Sequence, residues 1–385
     1  MFTHRERMLK VLRHEIPDEV PCCPDISIMI PLKMKNKPFW EFYIDLDNNF
    51  FYDLYNNENL YKAYIDACKY FGIPAWCWYI SPKIIQKEIS YKYKIVEKKA
   101  DHITVETTMI TPEGNLWSLT VYPINNPPFP IRKYIKDFKR EFKFLKYFYP
   151  NLDNIDFSPV LKEKEYVGEQ GVIAISVLPP SLVHLDSIID GGLAVIGLLY
   201  YDYPELILKY KEMHEEWSLK YLEKIIKSKC CDEIITGGSG LMTWQSPKIT
   251  RELSLDGLKQ ITKLCKDNNL ISHLHCCGFE KELVKMCAEE TELDVIEPLE
   301  PPPQGDCDLK EIKKTYGKKL VLKGNLSTSA IMLADVKTVE IAAKKCLEDA
   351  AYDGGFILST GDQCGRDTPH ENIFKLVEVC KSYKY

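Results

Sequence analysis

The chain has 385 residues, 45% of them hydrophobic and 28% charged, with a formal net charge of −6. This is the composition of a globular protein large enough for one big core or two ordinary ones, and the mild acidity argues against a general nucleic-acid or membrane binder. No apolar run approaches the ~18 residues a membrane span needs, and the opening MFTHRERMLKVLRHEIPDEV lacks the apolar stretch of a signal peptide, so the expected location is the cytoplasm.

The first half reads as an elaboration. Glu58 to Phe71 has the pattern of a helix. From about 85 to 125 the segment ISYKYKIVEKKADHITVETTMITPEGNLWSLTVYP alternates and is rich in β-formers. Turn residues near Lys99 to His102 and at Pro112 to Asn115 divide it into about three antiparallel strands. Ile131 to Tyr147 reads as a charged, aromatic helix.

From about residue 170 short apolar runs alternate with amphipathic helices. GVIAISVLPP precedes helical sequence through Lys229, and DEIITGGSG precedes a helix from Ser246 to Asn268. LISHLHCCG leads into Glu280 to Glu290, and LDVIEPLEPP into Leu309 to Tyr316. KLVLKGNLS leads into Val336 to Tyr352, and GGFILSTGDQCG into Pro369 to Lys384. Apolar strands in repeated βα units imply a parallel sheet covered on both faces. With one or two more units from the first half, the expected fold is α/β, a single (β/α)8 TIM-type barrel domain over residues 1–385 with an N-terminal helical and antiparallel β elaboration. An open doubly wound sheet is the alternative, weakened by the lack of a G-x-G-x-x-G opening a helix.

Barrel active sites lie at the C-terminal ends of the strands, and here those ends carry LPP, GGSG, HCCG, EPLEPP, GN and GDQCG. The richest is HLHCCG, His273 to Gly278. Alternate residues of a strand share a face, so His273, His275 and Cys277 point one way and Leu274 and Cys276 the other. Residues two apart lie ~6.6 Å apart along a strand, which lets two side chains converge on one ion. His275 and Cys277, nearest the rim, are the expected metal ligands. His273 lies deeper, as a core polar residue or a partner that orients a ligand.

The chain has 14 cysteines and no C-x-x-C, so ribbon, finger and thioredoxin readings fall away. Cys364 in STGDQCGRDTP sits at a later strand end. Cys265, Cys287, Cys346 and Cys380 fall inside helices, and Cys307, in the loop after EPLEPPPQGD, is a weaker candidate. A His275/Cys277/Cys364 set leaves one position open, as in a catalytic zinc site, and thiolates favour zinc over magnesium or calcium. Buried, inert thiols are the competing reading. Asp25, Glu297, Asn325, Asp362 and His273 are candidate substrate contacts. Glu297 and Glu300 are three apart, so strand alternation lets at most one enter the cleft, and an ion pair is the default role for either. The TGGSG loop has the composition of an anion-binding nest.

These residues carry a resemblance. RERMLKVLRHEIPDEVP at the start, H-x-C-G in HCCG, G-N in KGNLS and GFILSTGDQCGRDTPHENI near the end resemble the uroporphyrinogen decarboxylase superfamily, and within it the methyltransferases that work with corrinoid proteins. The resemblance implies a (β/α)8 barrel and a catalytic zinc held at the positions of His275, Cys277 and Cys364. The decarboxylases carry an arginine-bearing segment near the N-terminus, and PCCPDISIMI has no arginine, which would leave a tetra-acidic porphyrinogen without cationic partners. The expected function is therefore transfer of a methyl group from a methylated small molecule, with a methoxylated aromatic as the best candidate, to the cobalamin or corrinoid of a partner protein. Methylation of a thiol by a methylcorrinoid, as in coenzyme M formation, is the first alternative. A decarboxylase or a non-catalytic binding protein is the second.

Overall fold

The computed structural model describes residues 2–48, 50–52 and 56–385. Its centre is a curled parallel sheet of seven strands, in spatial order Phe356–Thr360, Val321–Leu326, Val295–Glu297, Ile271–His275, Glu233–Gly237, Gly171–Ser176 and Ala75–Cys77. Pro21 to Cys23 adds an eighth stave beside Phe356–Thr360. Cys22 bridges Leu358 in parallel, the Cys23 amide donates to the Leu358 carbonyl at 2.8 Å, and the Leu358 amide donates to Pro21 at 3.0 Å. The Cys23 thiol then reaches the Pro74 carbonyl at 3.7 Å, at the mouth of the first sheet strand. This is the TIM-type α/β barrel that the βα rhythm predicts.

Strand alternation divides the apolar residues into two cores. Val172, Ala174, Ile235, Ile271, Val295, Val321 and Ile357 pack together with Met8, Val11 and Leu12 of the helix His4–Leu12. Ile173, Ile175, Ile234, Leu274, Ile296, Leu322 and Leu358 belong to the larger core shared with the outer helices. The Arg5 guanidinium forks onto Asp232 at 2.6 and 2.8 Å and ties the first helix to the barrel, the bidentate geometry that makes arginine pairs specific. At Gly171 a Cβ would meet the Ala75 carbonyl oxygen at 1.9 Å, so only glycine lets these two strands approach.

Glu58–Phe71 forms the expected helix, capped by the Asn57 side chain and ended by Gly72 at φ +69°. The antiparallel insertion is larger than its sequence pattern suggests. It has four strands, Ser90–Lys98, His102–Thr111, Gly114–Pro123 and Phe129–Arg132. The helix expected over Ile131 to Tyr147 does not form as such. Its start is spent on the fourth strand, and Ile135 bridges Ile189 in parallel. Helix begins only after the Asp137 cap, over Phe138–Glu141, and tightens into the 3-10 turn Phe142–Phe148. Phe138, Phe144, Leu145 and Tyr147 bury themselves against Leu182, Leu185, Ile196 and Leu199, so tertiary packing overrides the local helical pattern. The expected helix from Ser246 to Asn268 opens over Pro247–Thr250, widens through a π turn at Arg251–Leu255 and continues over Asp256–Asp267. Among the described residues, no helix is long and apolar enough to cross a membrane.

One buried acid gives the fold a pH dependence. Glu163 is fully buried; the Cys77 thiol donates to its Oε1 at 3.1 Å, and Oε2 has no partner. Burial pushes its carboxyl up to about 8. The folded state therefore holds a proton that the unfolded chain has already released above the ordinary value of 4.5. Stability should fall as pH rises from that value toward about 8. Glu163→Gln keeps the shape without the ionisation, so urea unfolding at a series of pH values should show the wild type losing stability relative to the variant across this window. Parallel curves would contradict a buried neutral Glu163.

Candidate metal centre at the strand ends

His275 ends the strand Ile271–His275, and Cys276 and Cys277 follow it onto the rim. The GGSG loop of the neighbouring strand fixes this stretch: the Gly238 amide donates to the His275 carbonyl at 2.8 Å and the Gly240 amide to the Cys277 carbonyl at 3.1 Å. Those amides hold protein carbonyls, so the loop does not present them as an anion nest. Gly278 sits at φ +89°, and a Cβ there would lie 2.2 Å from Thr243 Oγ1. The HCCG run ends in glycine because the chain must turn at that point in space a side chain cannot occupy.

Ligand atoms of Cys277, Glu300 and Asp362 all lie within 4.8 Å of one another. Cys277 and Asp362 are half-buried and Glu300 is buried. Glu300 accepts a hydrogen bond from the Gly278 amide, and burial, reinforced by the nearby Asp362 charge, pushes its carboxyl up. The His275 side chain is hydrogen-bonded to Cys277 and to Glu297. Its Nδ1 lies 3.0 Å from Glu297 Oε1, and its side chain is 21% exposed. Burial works against a charged His275, but the hydrogen bonds to Cys277 and Glu297 outweigh it and raise its pKa.

Both glutamates reach the site, contrary to the expectation that at most one would. The strand stops at Glu297, and Leu299 takes φ +60°, so strand alternation does not extend to Glu300. Glu297 faces the barrel interior on His275 and Lys323, while Glu300 swings over the rim to Gly278.

The remaining predicted residues fall into three places. Cys364 is buried; its amide donates to the Asp25 carbonyl at 2.7 Å and its thiol lies 4.0 Å from Thr360 Oγ1. Burial pushes that thiol up to about 12. It shares the strand-end loop with Asp362 but stands outside the Cys277, Glu300, Asp362 group. Asp25 Oδ1 accepts from the Ser27 amide at 2.9 Å, and burial, with Glu297 and Asp362 near it, raises its carboxyl. Asn325 Nδ2 donates to the Leu299 carbonyl at 3.0 Å and so braces the loop between the two glutamates. His273 lies fully inside the barrel, with Nδ1 3.0 Å from Glu233 Oε2 and its ring stacked on Trp76 at 4.7 Å. Cys307 is buried, its amide on the Glu300 carbonyl at 3.0 Å, also outside the group.

Lys323 is the residue that sequence reasoning passed over. It is 1% exposed, ion-paired to Glu297, and its ammonium lies 3.6 Å from the Trp76 ring centroid. Burial would lower its pKa, but Glu297 outweighs burial and raises it. The same pairing holds Glu297 well below the carboxylate range in spite of its burial. The signal was present: a lysine inside the apolar run KLVLKGNLS must find a buried partner.

The donor set fits a divalent metal. A thiol and two carboxylates converge at the rim with an imidazole beside them, the N, O and S ligands that zinc takes. Asp25, Glu297, Glu300 and Asp362 crowd one end of the barrel, and Lys323 is committed to Glu297. A cation at the rim would offset the rest of that charge.

No curated protein sequence matches this chain. Among solved structures, a methyltransferase from Methanosarcina mazei superposes with TM-score 0.64 at 18% identity, covering 98% of each chain. D-psicose 3-epimerase from Clostridium cellulolyticum H10 is a weaker match, at TM-score 0.34 and 10% identity over 59% of this chain and 81% of that one. The first shares the fold over the whole length. The family model for uroporphyrinogen decarboxylase (URO-D) matches residues 186–383, from the helix after Gly171–Ser176 to the C-terminal helix and including the whole candidate centre. The chain belongs to the uroporphyrinogen decarboxylase family.

Proposed function

We propose that this protein is a zinc-dependent methyltransferase that moves a methyl group from a methylated small molecule, a methoxylated aromatic, to the cobalt of a partner corrinoid protein. The observation that carries the reading is the convergence of Cys277, Glu300 and Asp362 beside His275 at the strand ends. Full-length likeness to a barrel whose own name is methyltransferase is consistent with it. Decarboxylation of a poly-acidic porphyrinogen fits poorly, because the rim is already acidic. Its buried lysine is held by Glu297, and Arg366 is paired with Asp367 at 3.0 Å.

His275, Cys277 and Cys364 are the proposed zinc ligands, with Glu300 and Asp362 close enough to Cys277 to share the ion or to hold substrate. Bound zinc supplies Lewis acidity, which eases departure of the ether oxygen. The chain's own contribution is positioning: Glu297 holds the imidazole, and the GGSG loop holds the backbone of His275 to Cys277. The protein alone should not demethylate a methoxyarene. With a reduced corrinoid protein added, the cobalt spectrum should change to that of the methylated form as the demethylated phenol appears. Cys364→Ala should abolish this with the fold intact. Wild-type transfer by the zinc-free variant would overturn the reading, and methylation of a thiol alone would keep the site but reverse the direction.

A further inference from the structure

We infer that Glu297 is the positioning residue that selects which nitrogen of His275 faces outward, and that Lys323 keeps it in that role. This deepens the proposed zinc reading and rests on it for its consequence, not for its geometry. Glu297 Oε1 lies 3.0 Å from His275 Nδ1, and its Oε2 is taken by the Lys323 ammonium. A carboxylate beside a buried ammonium only accepts hydrogen bonds. His275 Nδ1 must therefore carry the proton, which leaves the lone pair of the neutral ring on Nε2, the nitrogen that can take a metal.

Glu297 has little freedom to do otherwise. Its side chain is 4% exposed. Lys323 is clamped against the Trp76 ring, and the His273 ring stacks on the same indole. His273 gives its Nδ1 to Glu233 and turns Nε2 toward Glu297 Oε2 at 4.0 Å. The interior of the barrel is thus a line of fixed groups, Glu233, His273, Glu297 and Lys323, whose outer end is His275. Glu297 and His273 act through His275 in this account and do not touch substrate, which revises their expected role as substrate contacts.

The test reads tautomer and metal affinity, not turnover. In metal-free wild-type protein with 15N-labelled histidine, at a pH where the ring is neutral, His275 should show the Nδ1–H tautomer. A dominant Nε2–H form would overturn the inference whatever the variants do. The double variant Glu297→Gln with Lys323→Met removes both charges together, so neither is stranded. Glutamine can accept from or donate to Nδ1, so the tautomers should mix. Zinc affinity, measured by competition with a chelator, should fall about 10- to 100-fold, with circular dichroism unchanged. Unchanged tautomer populations or unchanged affinity would sink the idea. If that variant fails to fold, Glu297→Asp, which keeps the charge and shortens the reach, should give a smaller loss of affinity, and full wild-type affinity there would count against it. Should wild-type protein bind no zinc, the metal reading fails, while the tautomer still decides what Glu297 does.

Discussion

Replacing Cys277 and Cys364 together by serine is expected to leave a folded protein that no longer retains zinc. The wild type, grown with ample zinc, should carry about one ion per chain, as a single catalytic site requires. Serine keeps the volume of each site but offers a far poorer anionic ligand. Cys277 is half-buried at the rim and Cys364 packs behind Asp25, so the stability cost should stay within the ordinary range of about 0.5–3 kcal/mol. Elemental analysis and thermal unfolding on the same preparations give both numbers. Full zinc content in the double variant would move the site to other ligands, with Glu300 and Asp362 the first to examine. A well-folded wild type that is isolated without metal after growth with ample zinc would remove the zinc reading altogether.

Lys323→Met alone is expected to be among the most destabilising single changes in the barrel, by about 3–5 kcal/mol in metal-free protein. Lys323 and Glu297 are 1% and 4% exposed, so removing the lysine leaves a carboxylate in a site that water does not reach. Methionine fills most of the vacated space, so a loss of this size would come from the stranded charge and not from a cavity. Adding Glu297→Gln should recover most of it, because a neutral pair of similar volume has no desolvated charge to compensate. Denaturant titration of the two single variants and the double variant gives the coupling directly. Additive losses would show that the two side chains do not act as a pair.

The βα rhythm from residue 170 onward was legible because each strand is a short apolar run and each helix has its own periodicity. The strand ends then named the rim, and HCCG stood out there by composition alone. What was not legible lay where one side chain answers to a distant one. Ile131 to Tyr147 has a helical pattern by itself, yet pairing of Ile135 with Ile189 and burial of its aromatics took precedence. Glu300 had an ion pair as its default role, yet the turn at Leu299 brings it over the Gly278 amide.

The barrel, the presence of an antiparallel insertion and the position of His275 and Cys277 at a strand end are readable from periodicity and strand direction, which are local properties of the chain. Which acids meet them depends on contacts between distant strands. Lys323, Glu297, His273 and Glu233 come from four different strands, and their pairing depends on register between neighbours, such as His275 beside Glu297 and Ile235 beside His273. Register is set by the packing of the whole sheet, and no local pattern encodes it.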